Sequence, residues 1–298
     1  MSETEFCIKT GLFYRKDSTL DCYTIFGIDE FNNSNLVIPS KYKGLEVKAI
    51  EEDAFYNCQF LESIVIPETV TKIAAGAFSQ CYNLKSITMP SITDELFTMK
   101  EAHLGCLFNN DNNSKNKNNL YVPASLKKVT FTNGDKITDY CFYECNYIEE
   151  IHLPETVKEI GTLSFYKCKS MKEIVIPNEV TTIKSDAFLN CETISRIVLP
   201  DNLVKLESGA FENCLSLKNI IINKNIKVIE NRVFEYCKEL EEIDIPSNIE
   251  IIKKEAFSSC YKLKKIKLPK KVIIELDAFE FCDNLTDIVY SDKKEELD

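Results

Sequence analysis

Apolar residues recur along this chain three, six and eight positions after each cysteine of a Phe-x-x-Cys motif. After Cys214 they are Leu217, Ile220 and Ile222; after Cys260 they are Leu263, Ile266 and Leu268. The pair two apart predicts a short strand with one buried face. Proline closes that strand in most copies (Pro67, Pro90, Pro154, Pro177, Pro200, Pro246, Pro269), because it offers no main-chain donor. Aliphatics three apart follow, such as Val180 and Ile183, and then Phe188, Cys191 and Ile194, again three apart. That spacing predicts a short helical or 3₁₀ turn with one buried side.

The motif cysteines are Cys58, Cys81, Cys145, Cys168, Cys191, Cys214, Cys237, Cys260 and Cys282, and from Cys145 to Cys260 the step is always 23 residues. One strand and one turn cannot enclose a core, so the units must stack and their strands must form a parallel sheet. Leu36–Ile38, Val129–Phe131 and the strands after the nine motif cysteines give eleven expected rungs. Residues 1–34, with the alternating LDCYTIFGID, are expected to cap the first rung as a β-hairpin. Residues 35–290 form the repeat array, 91–131 an irregular inserted repeat, and 291–298 a charged tail. The Asn/Lys tract 108–119 has no apolar period and is expected to be a mobile loop.

The phrase LESIVIPETVTKIAAGAFSQC (61–81) resembles the BspA-like leucine-rich repeats. The opening NLVIPSKYKGLEVKAIEEDAFYNC (35–58) is similar to that family's first repeat behind a hairpin cap. The stretch LGCLFNNDNNSKNKNNLYVPASLKKVTF (104–131) is similar to its inserted repeat. The resemblance, over about residues 8–290, implies an α/β repeat solenoid, right-handed, with a concave parallel sheet and short turns or 3₁₀ segments on the convex side. It also implies adhesion to host or matrix proteins, at the cell surface of bacteria or protozoan parasites.

Charge narrows the partners. With 36 basic and 47 acidic side chains the net charge is −11, which disfavours nucleic acid and anionic membranes. The start MSETEFCIKT contains no apolar stretch of the secretion-signal kind, which points to the cytosol and stands against the surface location the resemblance implies.

Thirteen cysteines raise the question of chemistry. The motif cysteines alternate with Phe and Leu, as core residues do, so they are expected to form a buried ladder of free thiols. Disulfides within the ladder and a soft-metal array are the competing readings. Cys141 stands where other copies carry Ala and is expected in the core, whereas Cys7 and Cys22, both in the cap, are placed to pair if the chain is exported. His103 and Cys106, three apart, fall short of a zinc ligand set, and the other histidine, His152, lies on a predicted strand. Eight glycines form no phosphate-binding loop, and the carboxylates are dispersed. No catalytic, metal or cofactor site is expected, and no enzyme activity.

What remains is surface. Residues five and seven after each cysteine are expected to project from the concave sheet face. The candidate partner site is Glu150, His152, Glu173, Val175, Arg196, Val198, Asn219, Ile221, Glu242 and Asp244. Within it Val175, Val198 and Ile221 form an aliphatic stripe flanked by Glu150, Glu173 and Arg196. The competing reading is that β-branched residues simply suit parallel strands. The expected function is a monomeric, non-enzymatic module that binds a protein. An intracellular scaffold, or a regulatory or targeting segment of a larger enzyme, stands as the alternative.

Overall fold

The structure, a computed structural model, describes residues 4–29, 34–97, 102–108 and 121–291. Residues 109–119 of the expected loop and the tail from residue 292 lie outside them. The chain divides into two compact units, Met1–Gly134 with Glu150–His152, and Asp135–Glu149 with Leu153–Asp298.

The first unit begins with three antiparallel strands, Thr4–Cys7, Leu12–Asp17 and Cys22–Ile28. The chain reverses at Gly11 (φ 70°) and Asp21 (φ 49°), residue types that tolerate the left-handed region. Alternation puts Leu12, Tyr14 and Ile25 out of solvent, and the Tyr14 ring stacks on Tyr42 at 4.1 Å. Cys7 faces Leu12 and Cys22 faces Asp17, at opposite ends of one strand. That is a separation on the order of 17 Å, beyond disulfide reach. Both thiols are free, so the pairing considered for the cap is not made.

Two ladders of parallel strands follow in this unit. The first runs in register through Asn35–Val37, Ser63–Val65, Ser86–Met89, Lys128–Phe131 and Glu150–His152. The second joins Cys22–Ile28, Leu45–Ile50 and Lys72–Ile73. The inserted repeat holds an α-helical turn, Asp94–Phe97, and a 3₁₀ segment, Leu104–Leu107. The Phe78 N–H donates to the Leu107 carbonyl at 2.8 Å, as Phe55 N–H does to Ala77. Leu107 and the buried Phe108 therefore stand where regular repeats have Ala-Phe.

The second unit repeats this plan. Its strand face carries Glu173–Val175 beside Arg196–Val198, then Glu242–Asp244, Lys265–Pro269 and Asp287–Ser291. Two-residue strands form the second ladder: Lys136–Ile137, Glu159–Ile160, Thr182–Ile183 and Lys205–Leu206, then Val228–Ile229, Ile251–Ile252 and Ile273–Ile274. Phenylalanine rings from Phe142 to Phe279 stack between the ladders and the turns, with centroids 4.8–5.9 Å apart.

The turns differ from the sequence expectation. Both helical segments among the described residues belong to the inserted repeat, so helical or 3₁₀ segments, and the α/β label, do not hold for the regular repeats. Each unit is built of stacked β-rungs. The physical reason is a left-handed residue before the small residue that precedes Phe, and a second before Cys. Asp186 and Asn190, Gly209 and Asn213, and Arg232 and Tyr236 are examples, with φ between 57° and 64°. They cut the segment into single turns such as Cys191 N–H to Phe188 O (3.1 Å). They also direct alternate N–H groups along the stack, so that Asp186, Phe188 and Asn190 donate to Ser208, Ala210 and Glu212 at 2.8–2.9 Å. A non-glycine residue in this region costs about 1 kcal/mol, which these bonds to the next repeat offset.

Candidate functional site

The motif cysteine comes first, as the residue with the most reactive chemistry. Cys168, Cys191, Cys214 and Cys237 are completely buried. Each thiol donates to the carbonyl of the preceding repeat's phenylalanine, as Cys191 does to Phe165 (3.0 Å) and Cys260 to Phe234 (3.2 Å). Burial pushes these thiols above their ordinary pKa, which keeps them protonated and poorly nucleophilic. The motif thiols are free, buried from Cys58 to Cys260 and only half-buried at Cys282, and Cys141 is in the core as expected. At the inserted repeat Cys106 Sγ lies 3.6 Å from His103 Nε2, and burial again pushes the thiol up. Among the described residues no group of three His, Cys, Asp or Glu side chains is placed to hold a metal ion. No helix among them is long and apolar enough to cross a membrane.

Charged groups on the turn side of the second unit form a second cluster. Glu212 Oε2 accepts from Arg232 Nη1 at 2.9 Å, and burial pushes the Glu212 carboxyl up to about 7 despite that guanidinium. Glu235 and Asp186, nearby, are also raised by burial. Gly209 (φ +64°) sits so close to Asp186 that an added Cβ would collide with its carboxylate. The cluster is packed between repeats and offers structure rather than an opening.

All ten residues of the candidate site are exposed. Glu150 and His152 belong to the first unit. Lys128, at 2.9 Å, and His152, at 3.5 Å, hold the Glu150 carboxyl below the usual range, so this acid is already engaged. The other eight belong to the second unit. There Glu173 pairs in register with Arg196, Val175 with Val198, and Arg196 makes a single bridge to Asn219. Val175, Val198 and Ile221 are 78%, 58% and 80% exposed, far above the average for aliphatics of a folded chain. Glu242 is in register with Lys265 and Asp244 with Lys267, the latter two charges 4.0 Å apart.

Two features escape the sequence pattern. Asn219–Ile221 forms no strand pairing with Glu242–Asp244 among the described residues. A cleft of about 350 Å³ is lined there by Lys218, Asn219, Glu241, Glu242, Lys264 and Lys265. Asn223 stands where most repeats have proline, and its side chain accepts from the N–H groups of Asn225 and Ile226, an Asx turn that resets the local backbone. The second feature is a row of cations, Lys172, Arg196 and Lys218, beside the aliphatic stripe. None has an ion-pair partner within 4.0 Å among the described residues, whereas Lys85 and Lys128 on the first unit do.

Parallel rungs whose inward strand positions are mostly leucine and isoleucine define a leucine-rich-repeat β-solenoid. The BspA type leucine rich repeat region, in 6 copies, matches residues 24–136, 114–240 and 181–298. The chain belongs to that family. It is similar to a leucine rich cell surface protein from Faecalibacterium prausnitzii at 22% identity, covering 99% of this chain and 96% of that one, with a TM-score of 0.42. The leucine rich repeat protein of T. pallidum is 23% identical over 79% of this chain and 91% of its own, with a TM-score of 0.44. The pneumococcal vaccine antigen PcpA is 15% identical, covering 97% and 99%, with a TM-score of 0.43. No curated protein matches the chain.

Proposed function

We propose that this protein is a non-enzymatic binding module that holds a protein partner against the strand face of its second unit. The observation that supports the reading is the exposed aliphatic stripe Val175, Val198 and Ile221, set in a polar surround. The opposite side of the same repeats spends its main-chain donors and its thiols on neighbouring repeats, which leaves side chains of the strand face free to meet a partner. A role in adhesion at a cell surface is in keeping with the family and with the description of the Faecalibacterium relative.

The test is affinity capture from extracellular matrix and from cell lysate, with wild type and Val198→Glu run in parallel. A polypeptide retained by wild type and lost by the variant, at unchanged melting temperature, supports the assignment. Retention of the same polypeptides by both proteins removes the strand face as the site.

A further inference from the structure

Resting on that reading, the charge of the strand face narrows the partner further. Lys172, Arg196 and Lys218 occupy successive repeats, at the fourth or fifth position after the motif cysteine. All three are exposed, and none is neutralised by a carboxylate within 4.0 Å among the described residues. Glu173 is in register with Arg196, yet the two do not reach ion-pair distance. On the same repeats the aliphatic stripe runs beside these cations, with Val175 and Ile221 about four-fifths exposed. In a chain of net charge −11, these strand positions carry a local excess of two positive charges (Lys172, Arg196 and Lys218 against Glu173) beside a bare aliphatic row.

Each row makes a separate demand. The aliphatic row rewards a ligand that brings apolar side chains, because that surface is in water when the face is empty. The basic row rewards carboxylates, and the overall negative charge discourages acidic ligands everywhere else, so this is the place where one gains most. The cleft beside Lys218 adds Lys264 and Lys265 against Glu241 and Glu242, which leaves it net positive by one charge (three cations, two anions). Lysine-rich or arginine-rich ligands are turned away by the same row. Nucleic acid supplies phosphates but no aliphatic side chains, and so leaves the stripe in water.

We propose that the second unit recognises an acidic polypeptide segment carrying aliphatic side chains, its carboxylates on Lys172, Arg196 and Lys218 and its apolar groups on Val175, Val198 and Ile221. The salt dependence follows from exposure: these charges are screened by ions, so affinity falls as ionic strength rises.

The experiment is selection of phage-displayed random peptides on the immobilised full chain, with counter-selection on Val198→Glu. Wild-type binders lost on the variant are expected to be enriched in Asp and Glu together with Val, Ile and Leu. Their affinity is expected to drop about tenfold or more in the double variant Arg196→Glu, Lys218→Glu, and synthetic copies with Lys in place of each acid are expected not to bind. Stripe-dependent peptides that are neutral or basic, or that bind the double variant normally, would leave the strand-face assignment standing and overturn the acidic-partner inference. Recovery of peptides indifferent to Val198→Glu, or of none, would overturn both.

Discussion

The two faces of the second unit are made from the same repeats and have opposite characters. On the turn side, main-chain donors at alternate positions, the thiol and the phenylalanine ring all point at a neighbouring repeat. On the strand face the main chain pairs, but the side chains at the fifth and seventh positions after cysteine meet solvent. The turn side thus fixes the spacing of the repeats, and that spacing delivers variable side chains to the other face at regular intervals. Identity is constrained where contacts are shared between repeats, and free where they are not.

That contrast is open to attack from its strongest point downward. Cys214→Asp places an unpaired carboxylate in a fully buried column and is expected to destabilise the second unit by about 4 kcal/mol or more. Loss of a cooperative thermal transition would report it. Gly209→Ala drives a Cβ into the Asp186 carboxylate at a left-handed position, and is expected to cost about 1–3 kcal/mol, measured by denaturant midpoint.

A subtler effect comes from Glu212, whose folded-state carboxyl is raised to about 7 from an ordinary value of 4.5. The folded chain holds this proton between those values and the unfolded chain does not, so stability falls as pH rises through the window. Melting temperature is expected to be higher near pH 5 than near pH 7.5, and the slope to flatten in Glu212→Gln. A slope unchanged in the variant would place the titration elsewhere. Smallest of all, Ile221→Glu on the strand face is expected to shift stability by no more than about 0.5 kcal/mol, read from the same melts. A large loss there would show that the stripe carries structure after all.

The inward column was legible in the sequence because burial imposes a period: Phe188, Cys191, Ile194, Ile197 and Leu199 are all in the core. The stripe was legible by counting from the same cysteine. The turn conformation was not. Its left-handed positions hold Leu163, Lys167, Arg232 and Tyr236, side chains that announce nothing about φ, because bonds to the next repeat impose the geometry. The second ladder was hidden for a related reason, since strands of two residues are too short to show alternation. The unneutralised state of Lys172 and Lys218 depends on whether an acid on the next rung can reach, which spacing alone does not record.

The carbonyl of Phe188 accepts the Cys214 thiol while its N–H donates to Ala210, so each repeat meets the one after it through one fixed set of atoms. Those atoms recur in every regular repeat, which makes the join indifferent to which copy supplies them. Excision of residues 192–214 would bring the Phe188 N–H to the Val233 carbonyl, and the Cys237 thiol to the Phe188 carbonyl, partners of the same kind they have now. The second unit is therefore editable in whole repeats, 23 residues each between Cys145 and Cys260 and 22 from Cys260 to Cys282, where the Cys282 thiol still reaches the Phe257 carbonyl. Its reach can lengthen or shorten between generations without a single contact having to be reinvented.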